Sequence, residues 1–374
     1  MKKALIHDWF STYAGAEKCV ESFTNVWDDF EIYGLIDFLS DANRDKILKG
    51  KYAHTSFVQK LPSAKKKYRN YLPLFPFAIE QFDLSSYDVV LSSSHAVAKG
   101  VLTHSNQLHI SYVHTPIRYA WDLYHQYLHE SGLNHGLKGI LAKYFLYKIR
   151  LWDVSTANRV DHYIANSHYI ARRIKKAYGK SSDVIYPPVD IDKFALRESK
   201  SDFYLTASRM VPYKKIDLIV EAFSQTDKKL LVIGDGPDMG KIKSKASKNI
   251  ELLGFLDDKT MADLMGQAKA FVFAAEEDFG ITPVEAQACG TPVICFGRGG
   301  TLETVREGIS GLYFMEQNIR ELLAAVDRFE QSYDKFDPIK IRENSLKFSR
   351  TRFEYEIKSY VEKKYEEFKE RQND

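Results

Sequence analysis

The stretch KAFVFAAEEDFGITPVEAQACG, residues 269–290, reads as a buried strand, an acidic loop and a helix. KAFVFAA is a short apolar run of the kind that fills a sheet covered on both faces. Pro283 suits the first helical position, with Thr282 as a candidate cap. The N–H groups around Gly280, Ile281 and Thr282 then point out of the helix start, toward an anion or a hydroxyl. Glu277 at the strand end and Glu285 in the first turn flank them. A carboxylate accepts hydrogen bonds in pairs and so suits vicinal hydroxyls. Two readings stand side by side. One is a receptor for a polyhydroxylated, phosphorylated ligand such as a sugar nucleotide. The other is a dipole-favoured first-turn Glu285 beside a solvated acidic turn at Glu276–Asp278.

The same unit recurs along the chain. DFYLTASRMVPYKKIDLIVEAFSQ, KKLLVIGDGPDMGKIKSKAS and IELLGFLDDKTMADLMGQA each give strand, loop and helix, and TPVICFGRGGTLETVREG with SGLYF continues the series. Upstream, KALIH leads through a loop with Gly15 into a helix-period stretch. YDVVLSSSHAVAKG reads as strand, polar turn and small-residue helix, and LHISYVHTP as a strand ended by Pro116. VDHYIANSHYIARRIKKAYG reads as strand, Asn-Ser cap, basic helix and Gly stop. Alternating βα units imply a parallel sheet with helices on both faces. The series restarts after Pro187-Pro188. The expected architecture is therefore α/β, with two doubly wound domains facing each other: residues 1–188, residues 189–350, and a charged helical tail, 351–374, that crosses back to the first domain.

Bulk chemistry agrees with a division of labour. At 374 residues and 44% hydrophobic, the chain exceeds one typical core. Residues 1–188 hold 24 Lys and Arg against 17 Asp and Glu, while the remainder holds 29 against 33. All eleven His precede residue 169. Cys19, Cys289 and Cys295 lack metal-ligand spacing, which suits a reducing cytoplasm. The start MKKALIHDWF is too short in apolar residues for a signal peptide, and no stretch approaches the ~18 apolar residues of a membrane span.

In open α/β sheets, ligands bind outside the carboxyl ends of the strands. The loops there contain SRMVPYKK, GDGP and GFLDD. Arg209 and Lys214 precede a helix and could grip a diphosphate, although loop cations are usually just solvated. Gly236 in GDGP allows close backbone approach by a ligand, or makes an ordinary turn. The dinucleotide fingerprint is a poor match, since Met239 holds its sixth position. Asp257-Asp258 reads as a helix-capping turn rather than a metal-binding pair, and no metal or other cofactor is expected.

Taken together, Glu277-x7-Glu285 with FGITPVEAQACGTPVI, SRMVPYKKIDLIVEAF, VIGDGP, LLGFLDD and ANSHYIARRIKKAYG…VIYPPVDIDKF resemble the retaining GT-B glycosyltransferases of the family 4 type over roughly residues 160–315. YAGAEKCV resembles that family's glycine loop, and YVHTPIRYAWD its histidine segment, in the form seen in mannosyltransferases of bacterial surface-polysaccharide assembly. The resemblance implies the following roles. Arg209 and Lys214 hold the donor's diphosphate and stabilise it as it leaves. Glu285 binds the ribose hydroxyls. Glu277 and the backbone of Phe279, Gly280, Ile281 and Thr282 hold the transferred sugar, with Leu256 near the base. His114 touches the sugar near its reacting carbon. Gly15 lets the first loop approach donor or acceptor. Two departures stand out: Ala14-Gly15 where the family often has Gly-Gly, and Lys215 where a Gly is common, which leaves Lys214 and Lys215 as alternatives for the phosphate.

The implied activity is retaining, metal-independent transfer of a hexose, with mannose from GDP-mannose favoured over a UDP-sugar, to a glycan or polyprenyl-linked acceptor in polysaccharide or O-antigen synthesis. Basic, aromatic stretches at 60–77 and 137–152 suit peripheral contact with anionic lipid at the inner face of the cell membrane, or else a solvated basic face. No nucleic-acid module is present. The rival readings are a GT-B-shaped nucleotide-sugar epimerase and a non-catalytic nucleotide-sugar-binding subunit.

Overall fold

The computed structural model describes residues 1–373. The chain divides into two compact units, residues 1–188 with 353–374, and residues 189–352. Each is built on one parallel sheet.

In the first unit the strands are β1 (Lys3–His7), β2 (Glu31–Gly34), β3 (His54–Thr55), β4 (Val89–Ser94), β5 (Leu108–Val113), β6 (His162–Ala165) and β7 (Asp183–Val184), in the order β3-β2-β1-β4-β5-β6-β7. Side-chain alternation divides the core between the two faces. Leu5 joins Phe23, Leu91 and Ile110 in one cluster, while Ala4 and Ile6 join Trp9, Phe75 and Val90 in the other. The terminal helix Arg350–Asn373 contributes Phe353, Ile357 and Val361 to the Leu5 cluster, at the spacing of one helical face.

Polar burial in this unit is organised around two aspartates. Asp8 accepts N–H bonds from His95, Ala96, Val97 and Ala98 at 2.6–2.9 Å. The expected helix after SSSH is corrected: the segment makes only a three-residue 3₁₀ turn, Ala98–Gly100, before Val101 returns to extended backbone. Asp153 is fully buried, pairs with Lys99 at 2.9 Å and accepts from Trp121 Nε1 at 2.8 Å and from the Tyr178 hydroxyl at 3.0 Å. It ties the RYAWD segment to two helices.

The helix His168–Tyr178 follows its sequence signals closely. Ser167 Oγ accepts from Ile170 N at 3.1 Å, and Gly179 ends the helix at φ +70°. The two basic aromatic stretches are less uniform. In residues 60–77, Tyr68 and Phe75 belong to the core, while Lys65, Lys66, Lys67 and Phe77 face outward. Residues 137–152 lie in the helix Gly136–Ser155. Leu146 and Ile149 turn inward, but Leu137, Ile140, Leu141, Tyr144, Tyr147, Leu151 and Val154 are exposed, Leu137 over 86% of its surface. Their three- and four-residue spacing makes one continuous apolar stripe. No helix among the described residues is long and apolar enough to cross a membrane.

The second unit contains β8 (Tyr204–Ala207), β9 (Leu230–Ile233), β10 (Ile250–Gly254), β11 (Ala270–Phe273), β12 (Val293–Phe296) and β13 (Gly311–Phe314), in the order β10-β9-β8-β11-β12-β13. Tyr204, Val232, Val272 and Ile294 pack one face against helices that supply Phe223, Val326 and Phe329. Both sheets reverse their strand order once, beside β1 and β4 in the first and beside β8 and β11 in the second. Those reversals are where an open parallel sheet leaves a crevice for ligand.

Candidate functional site

In the second unit the reversal brings two loops together. The loop after β8 is pinned by the turn after β9: Ser208 N donates to Ile233 O at 3.0 Å, Met210 N to Asp235 O at 2.9 Å, and Asp238 N to Met210 O at 3.1 Å. The approach is close enough that a Cβ on Gly236 would lie 2.3 Å from Met210 O. The glycine is thus required by backbone packing within the protein, a reason that the sequence reading did not give. Met210 is buried under the loop, which leaves Arg209 exposed. Lys214 closes the 3₁₀ turn Pro212–Lys214, and Lys215 then adopts φ +56° at the cap of the helix Ile216–Phe223. Left-handed backbone costs an ordinary residue about 1–2 kcal/mol, which accounts physically for the glycine common at this position in the family it resembles.

The other loop follows β11. Lys214 Nζ forms a short ion pair with Glu277 Oε1, so the reversal is bridged by opposite charges from the two loops, with both side chains less than one-fifth exposed. The acidic loop is held from behind by residues 297–301. Glu277 bridges Gly299, Gly300 N donates to Glu277 O at 2.7 Å, and a Cβ on Gly300 would lie 2.3 Å from Phe279 Cα. Phe279 is buried edge-on against Phe348, with centroids 5.3 Å apart.

The helix here starts earlier than its proline suggests. It spans Ile281–Ala288, with Gly280 as cap at φ +87°, so Pro283 is its third residue and Glu285 lies beyond the first turn. Glycine alone reaches that backbone conformation without strain, and it starts the helix without a capping side chain. Ile281 and Thr282 therefore supply the leading N–H groups, with no side-chain acceptor from the cap. Glu285 is buried and lies beyond the first turn, so it is not the dipole-favoured first-turn residue of the alternative reading. Leu256 is half-buried after β10, beside Asp257, whose Oδ1 accepts from Lys259 N and Thr260 N at 3.1 and 3.0 Å. The Asp257 pair is thus the capping turn that was expected. Its neighbour Phe255 is 83% exposed and was passed over in the sequence.

In the first unit, Gly15 opens the helix Gly15–Val26. Glu17, in its first turn, accepts from Ala14 N through Oε2 at 3.1 Å and directs Oε1 to His7 Nε2 at 3.7 Å. His7 Nδ1 contacts both Ser93 O and Ser93 Oγ at 3.1 Å, and Ser93 Oγ contacts His114 Nε2 at 2.9 Å. His114 is further held by its backbone: its N–H donates to Ser94 O at 2.9 Å and its carbonyl accepts from Asn166 Nδ2 at 3.0 Å. Burial, then the neighbouring His95 and His7, hold His114 well below the usual imidazole range, so it is neutral near pH 7.

A cavity of about 250 Å³ opens beside this network. Trp9, Phe75, Tyr119 and Tyr127 give it aromatic walls, and Arg69, Arg118 and His95 give it positive or titratable ones. The His95 ring lies 6.2 Å from the ring of His114. Arg69 and Phe75 come from the basic, aromatic stretch 60–77 that the sequence offered for the acceptor side, whereas Trp9, His95 and Tyr127 were not singled out. The signal available for Trp9, His95, Arg118 and Tyr119 was their position after β1, β4 and β5.

Comparison with known proteins agrees with this layout. The model described as Glycosyltransferase Family 4 matches residues 36–193, and that described as Glycosyl transferases group 1 matches residues 189–346. An uncharacterized glycosyltransferase of Methanocaldococcus jannaschii is 30% identical over 193 residues, 50% of this chain and 54% of the relative. A GDP-mannose-dependent monoacylated alpha-(1-6)-phosphatidylinositol monomannoside mannosyltransferase of Corynebacterium glutamicum is 33% identical over 171 residues, 37% of this chain and 45% of the relative. The matches span about half the length of these relatives. Among solved structures, Anabaena HepE in complex with UDP has a TM-score of 0.70 at 18% identity, covering 97% of this chain and 100% of that one. Sucrose-phosphate synthase from Thermosynechococcus elongatus has a TM-score of 0.71 at 14% identity, covering 98% and 99%. With one model on each half and the GT-B fold throughout, the chain belongs to the family 4-type glycosyltransferases.

Proposed function

We propose that the protein transfers a hexose from a nucleoside-diphosphate sugar to a glycan or polyprenyl-linked acceptor, with retention of anomeric configuration. The observation that carries this reading is the Lys214–Glu277 pair across the strand-order reversal, with exposed Arg209 on the same loop as Lys214. Without donor, each charged group keeps the other in place. When donor binds, Lys214 and Arg209 move onto the diphosphate, and Glu277 accepts from the sugar hydroxyls. The N–H groups at Ile281 and Thr282 add fixed positive charge at the same place. Glu285 takes the ribose hydroxyls, and Leu256 with Phe255 flanks the base.

Charge grows on the diphosphate as the sugar C1–O bond breaks. Fixed cations that meet it there lower the barrier, and this reading needs no metal ion. The acceptor oxygen attacks from the leaving-group face, and a donor phosphate oxygen takes its proton. Mannose from GDP-mannose is the favoured donor, on the form of the HTPIRYAWD segment and the GDP-mannose dependence of the Corynebacterium relative. UDP, bound by HepE, is the alternative nucleotide. Assembly of a surface polysaccharide, including O-antigen or other lipopolysaccharide, follows from the same resemblance.

The acceptor fits the aromatic cavity of the first unit, where stacking walls suit sugar rings and the arginines suit phosphate. A lipid-linked acceptor also explains the exposed stripe on the helix Gly136–Ser155, flanked by exposed Lys138, Lys143 and Lys148. Apolar area edged with lysine is the pattern of a helix lying in an anionic bilayer surface, which supports a peripheral location at the inner membrane face. Flotation tests this. The wild type is expected to rise with vesicles containing phosphatidylglycerol, and the triple variant Leu137→Glu, Ile140→Glu, Tyr144→Glu to stay below them while keeping its far-UV spectrum. Equal flotation of the two proteins would remove the membrane from this account.

A further inference from the structure

The contacts around Ser93 fix where the protons sit. Ser93 O is a carbonyl and can only accept, so His7 Nδ1 carries a hydrogen. That hydrogen also faces Ser93 Oγ at 3.1 Å, so the hydroxyl accepts from His7 and turns its own hydrogen toward His114 Nε2, 2.9 Å away. A nitrogen that accepts cannot carry a proton. His114 Nε2 is therefore bare, and the hydrogen of its neutral ring is on Nδ1. At the far end, buried His7 Nε2 faces Glu17 Oε1 at 3.7 Å.

We infer that Glu17, His7 and Ser93 are positioning residues that lock His114 in its Nδ1–H tautomer, so that His114 offers a ligand a hydrogen-bond donor and not a base. The inference rests on the proposed glycosyl transfer for its kinetic consequence, but not for the tautomer itself. His114 Nδ1 makes no hydrogen bond to the described residues, which leaves its hydrogen for a ligand. Glu17 reaches this network from the helix that Gly15 opens, and its second oxygen holds Ala14 N. The glycine loop and His114 are thus coupled through three side chains. That gives the acidic residue of the AGAE segment a task distinct from ligand contact.

The test is long-range ¹H–¹⁵N NMR on the full chain labelled at histidine, with His114 assigned through His114→Asn. The expected spectrum has His114 protonated on Nδ1 and bare on Nε2, and His7 protonated on Nδ1. A proton on His114 Nε2 overturns the inference, whatever the enzyme assays show. Ser93→Ala is expected to release the tautomer and to lower kcat roughly tenfold, the loss of one hydrogen bond to a positioned group, with donor KM within about twofold. Ser93→Thr restores both. Glu17→Gln, folded by circular dichroism, provides a second arm should Ser93→Ala misfold, and it is expected to shift the His7 ring signals by removing the charge that faces Nε2. An unchanged His7 signal in folded Glu17→Gln contradicts the chain of contacts. If no nucleotide sugar is turned over at all, the proposed function fails while the NMR result still decides the tautomer.

Discussion

Lys214→Ala is expected to lower kcat by about 10²–10³-fold, the range found when one donor to a developing anion is removed. The donor KM should change by less than about threefold, because the strongest demand for positive charge comes as the diphosphate leaves. In the free protein Lys214 is paired with Glu277, so its removal also leaves that carboxylate without its cation. The ground-state loss is small, because water reaches both groups. Steady-state kinetics with saturating acceptor separates the two effects. A rise in KM with unchanged kcat would reduce Lys214 to an ordinary binding residue.

The second large effect lies in the first unit. Asp153→Asn is expected to destabilise it by about 3–5 kcal/mol, since breaking a buried pair leaves an uncompensated charge. Burial already pushes the Lys99 ammonium below its usual range, against the pull of Asp153. Trp121 and Tyr178 donate to the same carboxylate, so the variant also weakens the segment that follows His114 in sequence. For a unit of this size the midpoint should fall by roughly 2–4 °C per kcal/mol in calorimetry. Adding Lys99→Met to the variant should recover much of the loss, because the charge that needed a partner is gone. A midpoint within 2 °C or so of wild type for Asp153→Asn alone would mean that the buried network contributes little.

The strands were legible because both sheets are parallel and covered on both faces. KALIH, LHISY and AFVF are unbroken buried runs, with no solvent face to interrupt them. Ser167 and Asp257 were legible as caps because capping is local chemistry. The start of the helix after Glu277 was not, because Gly280 begins it through a positive φ where Pro283 suggested a later start. The helix Gly136–Ser155 showed its periodicity, yet nothing in the letters says which apolar positions turn inward. Only the fold separates Leu146 and Ile149 from Leu137 and Ile140.

The candidate site was legible where the family motifs are continuous. What joins them is long-range. Lys214 and Glu277 are 63 residues apart and meet only because β8 and β11 are neighbours at the strand-order reversal. Gly299 and Gly300 support Glu277 and Phe279 from a loop whose role depends on a contact, not on a pattern. His7 and Ser93 are 86 residues apart and meet because β1 pairs with β4. Neither has a sequence neighbour that marks it.

The central claim is transfer from a nucleoside-diphosphate sugar, and the most direct measurement follows release of the nucleoside diphosphate. Purified full-length protein is mixed with each of a set of GDP- and UDP-sugars and a lipid extract from its native host, with Lys214→Ala in parallel. One donor, GDP-mannose first, is expected to release its nucleotide at least about 100-fold faster with wild type than with the variant. The NMR spectrum of the product should show the anomeric configuration of the donor. No donor consumed above the Lys214→Ala rate, or an inverted product, contradicts the account.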